Sequence, residues 1–451
     1  MAFFVSKLQL NAKVFLLLLT IFTTASLIWY IISSDSPPDS LKRNRNMENS
    51  MSNMIYNFES RQMQDFFTEK NSQNYENLFQ NKIVHLDMKG APPKLSYLEE
   101  IFPLFSKLGA TGILLEYEDM FPYSGDIKNI AANNAYSLDV IDKINRAAEK
   151  NNLEIIPLIQ TFGHLEFVLK LSEYQHLREV PEQPQAICPS RNESIALVYQ
   201  MLEEVAKLHP KAKRIHIGAD EVYFIAKCNT CQMRMSNQQW VSSSDLFLDH
   251  VKNVAWYVQH KLGLKPMMWD DHFRSISEQV LLKSQIGSMV ELVVWNYTPI
   301  LELRSDVWNK YLNIFDSIWA ASSFKGATGS NQILTSIRYH MDNHIAWMSL
   351  VSQYRGSPHF EKLKGIMMTG WQRYDHFAVL CELLPVSLPS LAANLLLLRY
   401  GPNLQQIDEE LSRWLQCSDS FFTLSLPQGY VNTIHCRYPG ALSSIMSICI
   451  K

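Results

Sequence analysis

Two carboxylic acids stand side by side in the stretch KRIHIGADEVYFIAKC: Asp220 and Glu221, directly after the apolar residues Ile215 and Ile217 and Gly218. The run reads as the end of a buried strand, where two ionised carboxylates cost free energy unless the chemistry needs them. Two independent carboxylates that cleave a glycosidic bond from opposite sides stand about 5 Å apart or more. Neighbouring residues at a strand end diverge, so this pair suits another division of labour. Glu221 would be a proton donor, its pKa raised toward neutrality partly by the adjacent Asp220 charge. Asp220 would steady a group on the substrate that becomes positive as the reaction proceeds.

Such a pair must be held by a scaffold, and the rest of the chain describes one. Eight short apolar runs alternate with amphipathic stretches: Ile83–Met88, Gly112–Tyr117, Glu154–Gln160, Arg214–Gly218, Pro266–Asp270, Val290–Trp295, Ser317–Ser322 and Gly365–Gly370. Each run lacks polar alternation, as expected of parallel strands covered on both faces. The stretches between them include SYLEEIFPLFSKLG and SSDLFLDHVKNVAWYVQHKLG, which open on serine and close on glycine, as capped helices do. The alternation predicts an α/β fold, a (β/α)8 TIM barrel over residues 82–401 with LPSLAANLLLLRYG as its last helix. An open doubly wound sheet would want a glycine-rich phosphate turn after an early strand, and LDMKGAPPK is not one.

In a barrel of this kind functional residues gather at the C-terminal ends of the strands. There the chain places Asp87 and Lys89, Glu116, Glu118 and Asp119, His164, the acidic pair, Trp269 with Asp270, Asp271 and His272, Trp295 with Tyr297, Trp319, and finally Trp371, Arg373 and Asp375. Four of the ten tryptophans fall at these ends, which makes chance placement a poor explanation. Aromatic planes beside acids suit a sugar, whose C–H faces pack on rings while its hydroxyls seek charged partners. A 2-acetamido sugar carries its own nucleophile, the acetamido carbonyl oxygen, and so fits the division of labour between Glu221 and Asp220.

At these residues the chain resembles a known family. HIGADEV is similar to the H-x-G-x-D-E signature of the family 20 glycoside hydrolases, the β-N-acetylhexosaminidases. IIPLIQTFGH resembles the third-strand segment that ends in a histidine bracing the acid, here His164, and EDMFPY resembles the second-strand loop. Trp269, Trp295 and Trp371 resemble the aromatic walls around the sugar. Taken with HLDMKGAPPKLSYLEEIFPLF and GWQRYDH, the resemblance covers about residues 82–401, and it is strongest to the branch without the extra N-terminal α/β domain. It implies hydrolysis of terminal β-linked GalNAc or GlcNAc with retention, and neither cofactor nor metal. The chain departs from the pattern where an arginine after strand one is replaced by Lys89, and where a glutamate after the strand-eight tryptophan gives way to Arg373 and Asp375. The strand-seven tyrosine has no match. Trp319 stands there, and Tyr297 is the substitute considered.

Composition bounds the alternatives. A net charge of −3 gives no electrostatic reason to bind nucleic acid or an anionic membrane. Val14–Ile32 is an uncharged apolar run of about 28 Å as a helix, preceded by Lys7 and Lys13. It reads as a type II signal anchor after a short cytoplasmic segment, 1–13, with a cleaved signal peptide ending near Thr23–Ser26 as the other reading. Either one sends the barrel into the secretory lumen, whereas the resembling branch is nucleocytoplasmic. Residues 33–81 read as a polar stalk and 402–451 as a helix and irregular tail. Cys228 and Cys231 form a lone C-x-x-C, read as a local disulfide or two thiols rather than a zinc site. Of the two sequons, Asn192 and Asn296, the first is the one expected to be usable, because Asn296 borders the pocket. Two other functions compete: a metal-dependent barrel hydrolase using His85, His164, His216 and His272, and a sugar-binding barrel without turnover.

Overall fold

The computed structural model describes residues 78–237 and 242–417, with 425–426, 430–431 and 436–441. The expected anchor, Val14–Ile32, and most of the stalk lie outside the described residues. Among the described residues no helix is long and apolar enough to cross a membrane.

Eight parallel strands close a barrel. In chain order they are β1 (Asn81–Asp87), β2 (Gly112–Glu116), β3 (Glu154–Leu158), β6 (Arg214–His216), β7 (Lys265–Trp269), β8 (Glu291–Trp295), β9 (Ile318–Lys325) and β10 (Leu363–Gly370). β10 pairs with β1 to complete the ring. The barrel takes in the end of the expected stalk, since Leu78 and Phe79 are buried and β1 begins at Asn81. A small antiparallel hairpin, β4 (Arg178–Val180) and β5 (Gln183–Ile187), was not anticipated and sits in the connection between β3 and β6.

The helix ends match the sequence reading in part: Leu95–Leu108 starts before its serine, with Lys94 at the cap position and no side-chain cap, but other ends are capped. Ser242 and Asp245 make a reciprocal capping box at the start of Ser243–His260, and Gly109 closes Leu95–Leu108 in the left-handed conformation that a side chain resists. The barrel axis is filled by inward residues of the strands, among them Ile83, Leu114, Ile156, Met267, Val293 and Met367. Trp269 and Trp319 share that core, with Trp295 and Trp371 packed on its upper side.

Trp319 corrects one expectation. β9 runs on to Lys325, so Trp319 is its second residue and lies toward the floor rather than the rim. Its Nε1 donates to Glu291 Oε2 at 2.8 Å, and the Arg214 guanidinium lies 5.4 Å from its ring centre. Arg214 also pairs with Glu154 and Glu291, so the lower mouth is plugged by one ring and an ion-pair network. Trp319→Ala should therefore lower unfolding stability by about 3–5 kcal/mol in chemical denaturation. An unchanged midpoint would mean that the ring is not part of the core.

Candidate active site

The acidic pair sits on a strained turn. β6 ends at His216, two residues earlier than its apolar pattern, because Gly218 and Ala219 take positive φ angles of 62° and 66°. Glu221 follows at 49°, a conformation that costs a side-chain-bearing residue about 1–3 kcal/mol. A Cβ on Gly218 would come within 1.9 Å of Gln160 Oε1, so only glycine permits this approach. Gly163 is confined in the same way from the facing loop, since a Cβ there would lie 2.3 Å from the Asp220 carbonyl oxygen.

What holds the turn is a set of hydrogen bonds from three loops. Gln160 Nε2 donates to Asp220 Oδ1 at 3.1 Å, and the Glu221 N–H donates to Asp271 Oδ2 at 2.9 Å. The Val222 N–H donates to His272 Nε2 at 2.9 Å, and Gln185 Nε2 donates to the Glu221 carbonyl at 2.6 Å. His272 accepts through that nitrogen because it is neutral: burial lowers its pKa to about 4.

His164 faces both acids. Its Nε2 lies 3.2 Å from Glu221 Oε2 and 3.5 Å from Asp220 Oδ2. Burial opposes a charge on this ring, yet the Asp220 charge and the bond to Glu221 outweigh it and hold the pKa at about 10. The consequence for the acids differs from expectation. The bond from His164 holds Glu221 below its usual range, whereas burial raises Asp220, helped by the charges of Glu116 and Glu221. Glu221 is the more exposed of the two, with 35% of its side chain accessible against 10% for Asp220. In the ligand-free protein the proton therefore resides on His164 rather than on Glu221.

Above the pair is a cavity of about 240 Å³. Trp269, Trp295 and Trp371 wall it, with Tyr297 stacked on Trp295 at 5.3 Å between ring centres. Trp295 is fixed by donation from its Nε1 to Asp271 Oδ1 and by Arg274 lying 4.6 Å from its ring centre. Asp271, partly desolvated and beside the Asp220 and Asp270 charges, is pushed up to about 7. Tyr297 is half-buried and hydrogen-bonded to the Thr369 and Trp371 side chains. Lys89 reaches the cavity as the cation of a buried cluster, 3.1 Å from Glu116, 3.2 Å from Asp87 and 3.3 Å from Glu118.

Three expected sugar contacts do not reach the cavity. Asp87 ties the first loop to the eighth, accepting from the backbone N–H groups of Lys89, Gln372 and Arg373. Arg373 donates to the carbonyls of Ala378 and His376, and Asp375 accepts from the N–H groups of Phe377 and Ala378. All three are spent on shaping loops. Trp319, on the barrel floor, is the fourth displaced residue. Glu116, Gln160 and Tyr374 also line the cavity; Glu116 was noted at its strand end without a sugar-binding role, and the other two were not singled out. Glu116 and Gln160 lie at the ends of apolar strand runs and were open to the same strand-end rule, and Tyr374 lies within GWQRYDH between the two residues that were chosen there.

The four histidines of the metal reading do not converge among the described residues. His85 is bonded to Glu116 at 2.8 Å, and His216 accepts from the Gly218 N–H while packing on Trp269. Asn296 is buried, its side chain accepting from Thr298, while Asn192 is exposed. Cys228 and Cys231 are unbridged, and Cys188 joins them from the preceding loop, so the pair is not isolated. A disulfide joins Cys417 to Cys436 near the end of the described chain.

Since the folded pKa of His164 lies above its unfolded value, its charge contributes stability that is full below about pH 6.5 and is lost as pH rises through about 10. In NMR of histidine-labelled protein, His164 should stay protonated at about pH 8, with its pKa lowered by Asp220→Asn. A ring already neutral at that pH would contradict the arrangement.

Comparison with known proteins places the chain in a family. Residues 101–309 match the model of glycosyl hydrolase family 20, catalytic domain. The chain is 47% identical over 341 residues to hexosaminidase D of Bos taurus, covering 75% of this chain and 97% of the bovine one. It is 48% identical over 327 residues to hexosaminidase D of Homo sapiens, where the match covers 72% of this chain and 66% of the human protein. Among solved structures, a β-N-acetylhexosaminidase from Bacteroides fragilis superposes with a TM-score of 0.52 at 17% identity, covering 75% of this chain and 70% of that one. A chitobiase from Flavobacterium johnsoniae gives 0.54 at 13%, covering 74% and 51%. These two likenesses concern the fold alone, but with the sequence relatives the conclusion is direct: the chain belongs to glycoside hydrolase family 20.

Proposed function

We propose that the protein is a retaining exo-β-N-acetylhexosaminidase that releases terminal β-linked GalNAc or GlcNAc, with the substrate's own acetamido group as nucleophile. The observation that carries this reading is the sharing of His164 by Asp220 and Glu221 beneath a cavity walled by three tryptophans. The cavity has room for one sugar ring on an aromatic floor, which suits removal of a terminal residue.

In the first step the acetamido carbonyl oxygen attacks C1 as the glycosidic bond breaks. The departing oxygen takes a proton from Glu221, and a cyclic oxazolinium remains. Glu221 is anionic while the site is open, so the proton must reach it from His164 along their shared hydrogen bond. A bound sugar favours that transfer by excluding water from Glu221, which raises the cost of its charge. Asp220, whose burial opposes its charge and whose neighbour His164 favours it, accepts a hydrogen bond from the acetamido N–H as a carboxylate. Its charge is worth most as the ring becomes positive, because little water screens it. In the second step Glu221 removes a proton from water, which attacks C1 from the face the leaving group vacated. The acetamide re-forms and the configuration is retained.

Tyr297 is the candidate donor to the acetamido oxygen, the role left without a strand-seven tyrosine. Lys89 is placed to meet sugar hydroxyls, where its cluster of carboxylates keeps it charged.

Glu221→Gln should lower kcat on a natural β-N-acetylhexosaminide by about two orders of magnitude or more. On an aryl substrate whose leaving group needs no proton, the loss should be much smaller. Equal losses on both would remove Glu221 from the role of acid.

A further inference from the structure

Outside the sugar cavity, four side chains with metal-binding atoms converge. Glu179 comes from hairpin strand β4, Cys188 follows β5, and Cys228 and Cys231 flank the start of the helix Asn229–Asn237. One ligand atom from each lies within 4.8 Å of the others. Cys188 Sγ is 3.3 Å from Cys228 Sγ and 3.6 Å from Cys231 Sγ. Neither contact is a disulfide, and all three thiols are free. Thiolates bound tetrahedrally to zinc at about 2.3 Å would stand about 3.8 Å apart, close to these separations.

The surroundings are those of a structural thiolate site. The Cys231 N–H points at Cys228 Sγ at 3.3 Å, and Ser190 Oγ lies 3.1 Å from Cys231 Sγ, so donors that would stabilise thiolate charge are in place. Leu246, Ile225 and Met235 pack around the sulfurs and keep water away. Glu179 is 1% exposed, a costly place for a carboxylate. One of its oxygens accepts from the N–H groups of Lys227 and Cys228, and the other faces Cys231 Sγ at 3.3 Å.

We propose that Cys188, Cys228, Cys231 and Glu179 bind a structural zinc ion that clips the loop after β3 to the loop after β6. Both loops support the acid: Gln185, three residues before Cys188, donates to the Glu221 carbonyl, and Glu221 begins the segment that ends at Cys228. The ion has no open position at the sugar and takes no part in the chemistry. Its role is to hold the turn that carries Glu221.

The test is metal analysis of the full-length chain purified under reducing conditions without chelators. It should contain about one zinc per chain, released in step with mercurial titration of about three thiols. Cobalt(II) in its place should give the intense charge-transfer and visible bands of a tetrahedral thiolate site. Removal of the metal should raise hydrogen exchange in residues 178–190 and 221–231 while leaving β1, β2 and β10 unaffected. Cys188→Ser and Cys231→Ser should lose the metal. If either variant fails to fold, the cobalt spectrum of the unaltered chain decides. Protein that stays metal-free after incubation with zinc under reducing conditions overturns the proposal, as does a disulfide between any two of the three cysteines. None of these readouts uses glycosidase activity, so the result stands apart from the reading of the sugar site.

Discussion

The constraint on which the site depends is the crowding of carboxylates around a dry barrel mouth. Asp220, Glu116, Glu118, Asp119, Asp270 and Asp87 are all buried there. Such a mouth holds together only if each charge meets a cation or a set of N–H donors. Lys89 compensates three of them, Arg274 pairs with Asp270, and His164 stands between Asp220 and Glu221. The His164 charge is thus both structural and chemical. It permits two acids to sit side by side, and under the proposed mechanism it is the store for the proton that the leaving group requires.

Backbone strain serves the same arrangement. Gly218, Ala219, Glu221 and His164 all have positive φ, and they lie on the two facing turns that bring the imidazole and the acids together. Regular strand ends would point Asp220 and Glu221 to opposite sides. The turn instead aims Asp220 inward to the buried Gln160 amide and leaves Glu221 half-open to an arriving substrate. Hydrogen bonds from Gln185, Asp271 and His272 to the backbone of residues 221 and 222 hold this geometry against its cost.

Much of the barrel was legible in the sequence. Parallel strands buried on both faces must be continuously apolar, so all eight runs stood out, and the acidic pair interrupts such a run conspicuously. What escaped depends on distances across the fold. Trp319 was read as a strand-end residue, but β9 continues three residues past the expected run Ser317–Ser322 to Lys325, which leaves Trp319 near its start. The hairpin REVPEQPQAI has two prolines and little alternation. Glu179 and Cys231 are 52 residues apart, so their meeting has no local signature. The pKa of Glu221 was expected to rise because Asp220 is adjacent in sequence, but the histidine bonded to it has the larger effect.

The central claim is that the attacking atom belongs to the sugar. It is tested most directly with a series of aryl substrates in which the acetamido methyl carries none to three fluorines. Each fluorine withdraws electrons from the carbonyl oxygen and weakens it as a nucleophile, so turnover should fall steeply along the series. Turnover that stays level would contradict the account and return the nucleophile to the protein or to water.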